Sequence, residues 1–397
     1  MIDFELTDEQ KMIRDMVRDF SAKEIQPHIE ELDEKGEYDK SLPGKMAALG
    51  LLGGPVPEKY GGSGLDYISF GLTCDELEYV DTSARTIVSV HVGLIALTLL
   101  SWCNEEQRAR FVRPLASGAK IGCFGLTEPG SGSDVAGMGS TAVKKDGAYV
   151  LNGEKMWISL ADLSDIALYF AYTDKEKKGR GISAFIVERG MPGFTSASIH
   201  GKMGVRAGNT GSLAVMDCKI PAENRLGEEG EGFTIAMFAL DQGRYGVASG
   251  AAGAIRACLD LSVKYANERM AFGQRIGEFQ LIKHMIANMS VNAEIARLLY
   301  LKAGDLKNKG LTCTKEVSMA KWFNTQAAEN SARDAIQVHG SYGYSNEYPV
   351  ERIYRNVRGG TILEGTNEVH TMIQSDFALG YRSQRPGRCT LPAWEAT

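Results

Sequence analysis

Five short segments of the 397-residue sequence carry residue types that could bind a ligand or transfer a proton. Each combines glycine or an aromatic residue with hydroxyl, amide, carboxylate or guanidinium side chains. In chain order they are Gly125–Asp134, Met156–Ser159, Asn267–Gly273, Ala335–Gly340 and Thr361–Asn367. The sequence matches no H-x-x-x-H pair, G-x-S-x-G elbow or P-loop, and its six histidines are scattered. We therefore expect no metal at the site.

The glycine-rich segment 125–134 has two interpretations. Backbone N–H groups of such a turn can approach an anion closely and form a nest for it. A plain surface turn is the alternative. Trp157 also has two interpretations, a core residue or a residue that flanks a cofactor. A tryptophan at a strand end packs in a core more often than it flanks a cofactor.

Composition places the chain among globular proteins. Hydrophobic residues make 44% and charged residues 24%, which excludes a disordered or collagen-like chain. The 44 Lys and Arg against 50 Asp and Glu give a net charge of −6. That balance argues against nucleic-acid binding, which requires an excess of cations. The length predicts two or three domains.

Targeting and redox signals are weak. The N-terminus is acidic and polar, so neither a signal peptide nor an Arg-rich transit peptide is expected. The longest apolar stretch, Val92–Leu100, is too short for a membrane helix of about 20 residues, and no integral membrane association is expected. The seven cysteines include no C-x-x-C pair, which suits a reducing compartment. The cytoplasm is the expected location, with a processed mitochondrial matrix form as the alternative.

The elements that must position these segments follow the order α, β, α. Residues 1–120 show helical periodicity after a Thr7–Gln10 capping box. Residues 121–231 contain short β-type runs such as Ile166–Tyr172, separated by tight-turn dipeptides, and predict a middle antiparallel β domain. Apolar stripes over 232–382 predict a C-terminal helix bundle. Residues 383–397 lack periodicity and are expected to form a flexible or non-native tail.

Together these segments resemble the acyl-CoA dehydrogenase family over residues 4–380. The segment 125–134, Arg269-x-x-Phe272-Gly273, Gln337-x-x-Gly340 and Glu364-Gly365-Thr366 occur in the family's order and spacing. The resemblance implies an α+β multidomain fold with an N-terminal α-helical domain, a middle antiparallel β domain and a C-terminal four-helix-bundle domain. It also implies FAD, an acyl-CoA substrate, an electron-transferring flavoprotein as partner, and a homotetramer.

By this resemblance Glu364 occupies the family's base position. Such an enzyme removes the α-proton of an acyl thioester and passes the β-hydrogen to flavin as hydride. The Glu364 N–H and a flavin ribityl hydroxyl would hold the thioester oxygen and stabilise the developing enolate, while Gly365 allows close backbone approach. Exclusion of water is expected to raise the pKa of the carboxyl toward neutrality. A helix-capping or surface carboxylate is the alternative for Glu364.

The resemblance also implies a set of flavin contacts. Thr127 would bond the pyrimidine side of the ring, Ser159 the hydride-accepting nitrogen, and Trp157 would flank the ring. Arg269 and Gln337 would contact the pyrophosphate and adenine side, in a tetramer on a neighbouring subunit's flavin. The other cofactor-binding residues implied are Ser133, Phe272, Gly340 and Thr366.

The acyl group is indicated by residues 78–86, which resemble the glutaryl-CoA dehydrogenase branch. Glu78, Arg85 and Thr86 fall where that branch handles a distal carboxylate. An Arg at the end of an acyl pocket would be an unpaired buried charge unless a carboxylate binds it. The alternative is an Arg85 permanently paired with Glu78, about two helical turns earlier. The other substrate-binding residues implied are Ser133, Asp241, Arg244, Leu363 and Gly365.

One position departs from that branch. Decarboxylating members carry a Tyr immediately before the base, where this sequence has Leu363, which argues against decarboxylation. Glutaryl-CoA oxidised without loss of carbon dioxide, or a substituted succinyl-CoA such as benzylsuccinyl-CoA, fits equally. The other hypotheses are a dehydrogenase of a short, branched or cyclic monocarboxylic acyl-CoA, an acyl-CoA oxidase, and a non-catalytic flavoprotein or acyl-CoA-binding scaffold. His91 is expected to pack within its helix rather than border the acyl pocket.

Overall fold

The computed structural model describes residues 5–394 and confirms the predicted order of a helical, a β and a second helical region. The capping box forms as expected, since the Thr7 hydroxyl accepts from the Gln10 N–H and the Gln10 side chain accepts from the Thr7 N–H. The helices of the N-terminal region are α1 (Asp8–Phe20), α2 (Ile29–Lys35), α3 (Leu42–Ala48), α4 (Tyr67–Val80), α5 (Thr82–Val88), α6 (Leu97–Trp102), α7 (Glu105–Gln107) and α8 (Arg113–Ala116).

The centre of this region is the continuous helical segment Thr82–Trp102, which joins α5 to α6 through wider turns at Ser89–Ala96. By length and composition alone it could cross a membrane, but 94% of its apolar window is buried inside the protein. A core helix passes the same test as a membrane span. The burial therefore identifies this segment as the core helix that carries Arg85.

The middle region is a single sheet. Its strands are β1 (Gly122–Gly125), β2 (Thr141–Lys145), β3 (Ala148–Ser159), β4 (Ile166–Tyr172), β5 (Ile182–Glu188), β6 (Phe194–Ser198), β7 (Thr210–Pro221) and β8 (Arg225–Leu226). The order is β6-β7-β3-β2-β4-β5-β8, with β1 beside β4. The pairings are antiparallel as predicted except that β1 and one residue of β2 run parallel to β4. A hairpin would have made these pairings antiparallel, and neither strand reaches β4 through one.

The C-terminal region is helical. Three long helices, α9 (Gly232–Glu268), α10 (Gln280–Asn308) and α11 (Thr314–His339), are completed by α12 (Val350–Gly360) and α13 (Asn367–Ala378). A two-residue hairpin, β9 (Met270–Ala271) with β10 (Gln274–Arg275), separates α9 from α10. Helix α9 packs against α10 and α11 of its own region and against α4 of the N-terminal region. It is therefore the wall shared by the two helical regions.

His91 links the first helical region to the sheet. Its Nδ1 accepts a hydrogen bond from the Gly122 N–H at 3.1 Å, so the proton lies on Nε2, which donates to the Leu115 carbonyl at 2.9 Å. Burial lowers the pKa of His91 to about 4, and the ring is neutral at physiological pH. The expectation of a packed histidine is confirmed.

The segment that follows α13 lies against the protein as far as it is described. The Trp394 N–H donates to the Asn308 carbonyl at 2.9 Å, and the Trp394 indole donates to the Gly64 carbonyl at 3.0 Å. Arg388 pairs with Glu231. The rest of the predicted tail, residues 395–397, lies outside the described residues.

Candidate active site

The loop between α12 and α13 holds Glu364 in an unusual backbone conformation. Glu364 has φ +53° and Gly365 has φ +97°, both in the left-handed region. A non-glycine residue there stores strain of order 1–3 kcal/mol, which is typical of functional sites. The helix cap is Thr366, whose hydroxyl accepts from the Val369 N–H at 3.3 Å. Glu364 is therefore not the capping carboxylate that the alternative interpretation required.

Two buried cations hold successive carbonyls of this loop. Arg244 of α9 donates from Nε to the Glu364 carbonyl at 2.8 Å. Lys321 of α11 donates from Nζ to the Gly365 carbonyl at 2.7 Å. Charge-assisted hydrogen bonds of this kind are about twice as strong as neutral ones. They offset the strain of the loop and fix the position of the Glu364 side chain.

The Glu364 carboxyl itself is left without a partner. Its Oε2 atom is buried and, within residues 5–394, makes no hydrogen bond. Burial raises the pKa of Glu364 to about 7, although the charges of Arg85, Arg244 and Lys321 act in the opposite direction. A carboxyl that titrates near neutral pH, with an oxygen free for a ligand, has the properties of a general base.

A glycine on α9 makes room for this carboxyl. A Cβ on Gly243 would lie 2.2 Å from Glu364 Oε2 and 2.5 Å from a Leu94 methyl carbon. Such distances are far below van der Waals contact, so any side chain there would displace the carboxyl. Gly243 thus defines the space in which Glu364 stands.

Arg85 of α5 is also buried, only 2% exposed, and its charge acts on the Glu364 carboxyl. Its Nε donates to Glu78 Oε2 at 2.5 Å and its Nη1 donates to Ser89 Oγ at 3.0 Å. In the described part of the chain Nη2 has no hydrogen-bond partner, and this nitrogen is not fully enclosed. The pairing with Glu78 that the alternative interpretation describes is therefore present, and one nitrogen of the guanidinium stays available.

The Glu78–Arg85 pair also depends on a glycine of α9. A Cβ on Gly250 would lie 2.1 Å from Glu78 Oε2 and 3.0 Å from Arg85 Nε. Thr82 Oγ1 donates to the other Glu78 oxygen at 3.0 Å. Thr86 points elsewhere: its hydroxyl donates to the Thr82 carbonyl, and its side chain lines a separate small cavity against α2 and the sheet.

The predicted flavin contacts of the middle region lie on two neighbouring segments that are hydrogen-bonded to each other. Trp157 is 60% exposed with φ +62°, at a register shift between β3 and β7. Its neighbour Met156 donates its N–H to the Thr127 carbonyl at 2.9 Å, which ties the two segments together. Ser159 ends β3 and is half-buried. The bulge turns the indole outward, so Trp157 is not the core residue of the alternative interpretation.

A buried ion pair anchors both of those segments. Lys155 is fully enclosed, and its Nζ donates to Glu128 Oε1 at 2.7 Å and to the Leu126 carbonyl at 3.2 Å. Ser140 donates to Glu128 from both its hydroxyl and its N–H, and Gly139 donates its N–H. Every oxygen of Glu128 is thus occupied. The pair fixes the loop that carries Thr127 next to the strand that carries Trp157.

The remaining predicted cofactor residues are exposed. Phe272 is 96% exposed with φ +50°, and Gln337 and Gly340 end α11 at the surface. Arg269 is exposed and lies 5.9 Å from the centre of the Tyr342 ring. Ser133 is exposed in the glycine-rich loop.

Asp241 and Arg244 form an ion pair at 3.1 Å, and Thr314 donates to the second Asp241 oxygen. The pair is not a solvent-exposed pair on the helix surface, because Arg244 is buried. Its guanidinium is committed to the catalytic loop and to Asp241. Leu363 is half-buried at the start of the loop, one residue before Glu364.

Sequence reasoning missed Lys321, His370 and the glycines of α9. His370 is buried, its Nδ1 lies 2.8 Å from Ser318 Oγ, and its Nε2 has no partner in the described chain. The glycines did leave a signal, since positions 243, 246, 250 and 253 recur at helical spacing and share one face. Lys321 left none, because a lysine in a helix is normally solvent-exposed.

Family comparisons match this architecture in three consecutive parts. The acyl-CoA dehydrogenase N-terminal domain matches residues 7–119, the middle domain 123–218 and the C-terminal domain 230–379. The chain belongs to the acyl-CoA dehydrogenase family. It is accordingly an oxidoreductase acting on CH–CH groups with flavin, and the α+β multidomain fold expected from the resemblance is confirmed.

Relatives of this dehydrogenase differ in substrate. The butyryl-CoA dehydrogenase structure from Megasphaera elsdenii is 42% identical, covers 95% of this chain and 100% of its own, and has a TM-score of 0.93. A glutaryl-CoA dehydrogenase structure in complex with glutaryl-CoA is 38% identical, covers 98% and 99%, and has a TM-score of 0.94. The caffeyl-CoA reductase–Etf complex subunit CarC of Acetobacterium woodii is 42% identical over 94% of this chain and 99% of its own.

Members of the family are FAD flavoproteins, and the residues present fit that cofactor. The outward-facing indole of Trp157 offers an aromatic face, and Oε2 of Glu364, which has no partner in the described chain, keeps its place because Gly243 carries no Cβ. A Cβ on Gly273 or Gly340 would meet nothing within 4 Å, so the backbone there is open to close approach.

Proposed function

We propose that this dehydrogenase oxidises an acyl-CoA thioester that carries a distal carboxylate, with Glu364 as the base that removes the α-proton. The observation that carries the substrate class is the enclosed Arg85, whose Nη2 has no protein partner and whose charge reaches Glu364. A buried guanidinium with an open donor suits a carboxylate better than a methyl group.

The glutamate accepts the proton directly. Its elevated pKa means that Glu364 is substantially ionised near pH 7 and that its conjugate acid is still weak enough to hold the proton removed. The Arg244 and Lys321 contacts to the loop carbonyls keep the carboxyl in place during this step. Bound FAD supplies the hydride acceptor, and Thr127, Trp157, Ser159 and Thr366 are the residues of this chain proposed to hold it.

Arg85 would read the far end of the acyl chain. Glu78 occupies Nε and Ser89 accepts from Nη1, so a ligand carboxylate would accept from Nη2. Because Glu78 already balances the Arg85 charge, the ligand carboxylate adds a second anion to one cation. Thr82 donates to the other Glu78 oxygen and so takes up part of the negative charge beside the guanidinium.

The competing candidate is a short monocarboxylic acyl-CoA. It is favoured by the 2.5 Å pairing of Arg85 with Glu78, which satisfies both charges without any ligand. Release of carbon dioxide is not proposed, because Leu363 stands where decarboxylating glutaryl-CoA dehydrogenases carry a Tyr. The product mass separates these possibilities, since decarboxylation removes carbon dioxide from the acyl group.

The test compares two substrates in two proteins. The wild-type protein and the double variant Glu78→Gln/Arg85→Gln, which stays neutral, are reduced anaerobically with glutaryl-CoA and with butyryl-CoA. We expect the double variant to lose about a hundredfold more in kcat/KM for glutaryl-CoA than for butyryl-CoA, because a charge-assisted contact is worth about 1.5–3 kcal/mol. Equal losses for both substrates, or equal wild-type turnover of both, would contradict the carboxylate assignment.

Electrons would pass to an electron-transferring flavoprotein, as the Etf complex that contains the relative CarC suggests. Fast reoxidation of the substrate-reduced protein by this partner and slow reoxidation by oxygen would support a dehydrogenase; the reverse would support an oxidase. All seven cysteines are unpaired, which is consistent with the cytoplasm that we propose as its location.

A homotetramer would explain the exposed cofactor residues. Arg269, Phe272, Gln337 and Gly340 lie at the surface, and Leu281 and Val291 of α10 expose large apolar side chains nearby in sequence. In the proposed assembly this group contacts FAD of a neighbouring subunit. Sedimentation of the FAD-loaded protein as a single-chain species would contradict it.

A further inference from the structure

Lys321 is an unusual residue in this protein. Its side chain is fully buried in α11, yet in the described chain no carboxylate forms an ion pair with it. Its Nζ donates instead to two neutral oxygens, the Gly365 carbonyl at 2.7 Å and Asn367 Oδ1 at 3.3 Å. A buried ammonium without an ion-pair partner is costly, and it is rare unless it has a function.

Both oxygens belong to the segment that carries Glu364. Gly365 is the next residue along the loop, and Asn367 is the first residue of α13. Asn367 Oδ1 is held from a second direction by Thr325 Oγ1, at 3.1 Å. Lys321 therefore hydrogen-bonds the loop one residue after Glu364, while Arg244 of α9 hydrogen-bonds the Glu364 carbonyl.

The charged groups around Glu364 come from five helices. Arg85 of α5, Arg244 of α9 and Lys321 of α11 are cationic, and each favours the ionised carboxylate. Cys74 of α4 is buried and its raised pKa keeps the thiol neutral, and His370 of α13 is neutral because burial lowers its pKa. Arg85 and Arg244 each have a carboxylate partner, in Glu78 and Asp241. Lys321 alone of the three cations has none within residues 5–394, apart from the field of Glu364 and exposed Glu368.

We propose that Lys321 is a positioning residue: its ammonium fixes the Gly365 carbonyl and supplies the unshared positive charge that keeps Glu364 ionised and ready to accept a proton. This role rests on the proposed function of Glu364 as the base. It is independent of which acyl group the enzyme accepts.

The two residues should titrate as a coupled pair. Burial lowers the pKa of Lys321 to about 7, and Glu364 opposes that shift. Each charge therefore favours the other, and neutralising one makes the other easier to neutralise. If Lys321 is replaced by a neutral residue, the carboxylate loses a stabilising charge and its pKa must rise further.

The experiment follows the Glu364 carboxyl directly. Infrared difference spectra of the FAD-loaded protein are recorded against pH, and Glu364→Gln identifies the carboxyl band. Lys321→Met removes both charge and hydrogen bonds, Lys321→Gln keeps a donor without charge, and Lys321→Arg keeps the charge. Thr325→Val is the matched control, because it removes a neutral hydrogen bond to the same Asn367 oxygen.

We expect Lys321→Met and Lys321→Gln to raise the midpoint by about one pH unit. The rate of anaerobic flavin reduction at pH 7 should then fall about fivefold, with the loss recovered as pH rises. Lys321→Arg and Thr325→Val should both keep the wild-type midpoint of the Glu364 titration. If Lys321→Met does not fold, Lys321→Gln decides the charge effect.

An unchanged midpoint in Lys321→Gln, or an equal shift in Thr325→Val, would overturn the proposal. Failure of the base assignment gives a different result. Glu364→Gln would then reduce its flavin at the wild-type rate, while the Glu364 band of the wild type and of the Lys321 variants would still titrate as described. The two proposals can therefore fail separately.

Discussion

Two glutamates in this protein share the same kind of neighbour but differ in what surrounds their oxygens. Glu128 and Glu364 each lie near a fully buried lysine, Lys155 in the sheet and Lys321 in the C-terminal helices. Lys155 donates directly to Glu128 at 2.7 Å, whereas Lys321 donates to a carbonyl behind Glu364. Glu128 also accepts from Ser140 and Gly139, while Oε2 of Glu364 accepts nothing in the described chain.

This difference in hydrogen bonding separates the pKa values of Glu128 and Glu364. Burial would raise the pKa of Glu128, but Lys155, Ser140 and Gly139 outweigh it and bring the pKa below its ordinary value. At Glu364 the effect of burial is not compensated by hydrogen bonds, and the pKa rises to about 7. A carboxylate whose oxygens all accept hydrogen bonds stabilises the fold, while one with an oxygen that has no partner can accept a proton from a substrate.

The largest test of this contrast is chemical. Glu364→Gln removes the proton acceptor and should slow flavin reduction by acyl-CoA about a thousandfold. Anaerobic stopped-flow bleaching of the FAD-loaded protein measures the rate. Glu368→Gln, which changes an exposed carboxylate four residues later in α13, is the control and should keep the wild-type rate. Wild-type bleaching in Glu364→Gln would place the base elsewhere.

The second test is structural and concerns Glu128. Glu128→Gln leaves Lys155 buried beside a neutral group, so the free energy of unfolding should fall by about 3 kcal/mol. Denaturant unfolding of the variant and of Glu154→Gln, an exposed carboxylate on the same strand as Lys155, gives the comparison. If both variants unfold together with the wild type, the ion pair does not stabilise the middle region.

The smallest expected effect is a gain in the free energy of unfolding, whereas the two larger effects are losses. A carboxyl whose pKa is raised by folding costs no stability below about pH 4.5, where it is protonated in both states, and progressively more as pH rises to about 7. Glu364→Gln should therefore match the wild type near pH 4 and be more stable by about 1–3 kcal/mol above pH 7. Unfolding free energies at the two pH values measure this. A pH-independent difference would mean that Glu364 is not desolvated in the folded protein.

Much of this protein could be predicted from local sequence. Strand β4 occupies Ile166–Tyr172, as expected, because a continuous apolar run bounded by polar residues specifies a buried strand by itself. The capping box also depends on only four residues. The position of Glu364 came from a motif, and the loop geometry found there agrees with a reactive carboxylate.

What escaped prediction depends on contacts between distant segments. Burial of Lys321 follows from the packing of α13 against α11, some 45 residues later in the chain, and its own helix gives no sign of it. The parallel placement of β1 beside β4 is a long-range pairing of the same kind. The outward turn of Trp157 requires a register shift between β3 and β7, which neither strand encodes alone.

The glycines of α9 have a consequence for how this enzyme could change. Where α9 faces Glu364 and the Glu78–Arg85 pair, it presents backbone, because Gly243 and Gly250 admit no Cβ. At these two positions the wall has no side chain that could be changed to alter the acyl pocket. Changes in acyl selectivity must then come from substitutions on the facing helices α4 and α5 or at Leu363. A mutational library built for that purpose gains nothing from varying the glycines.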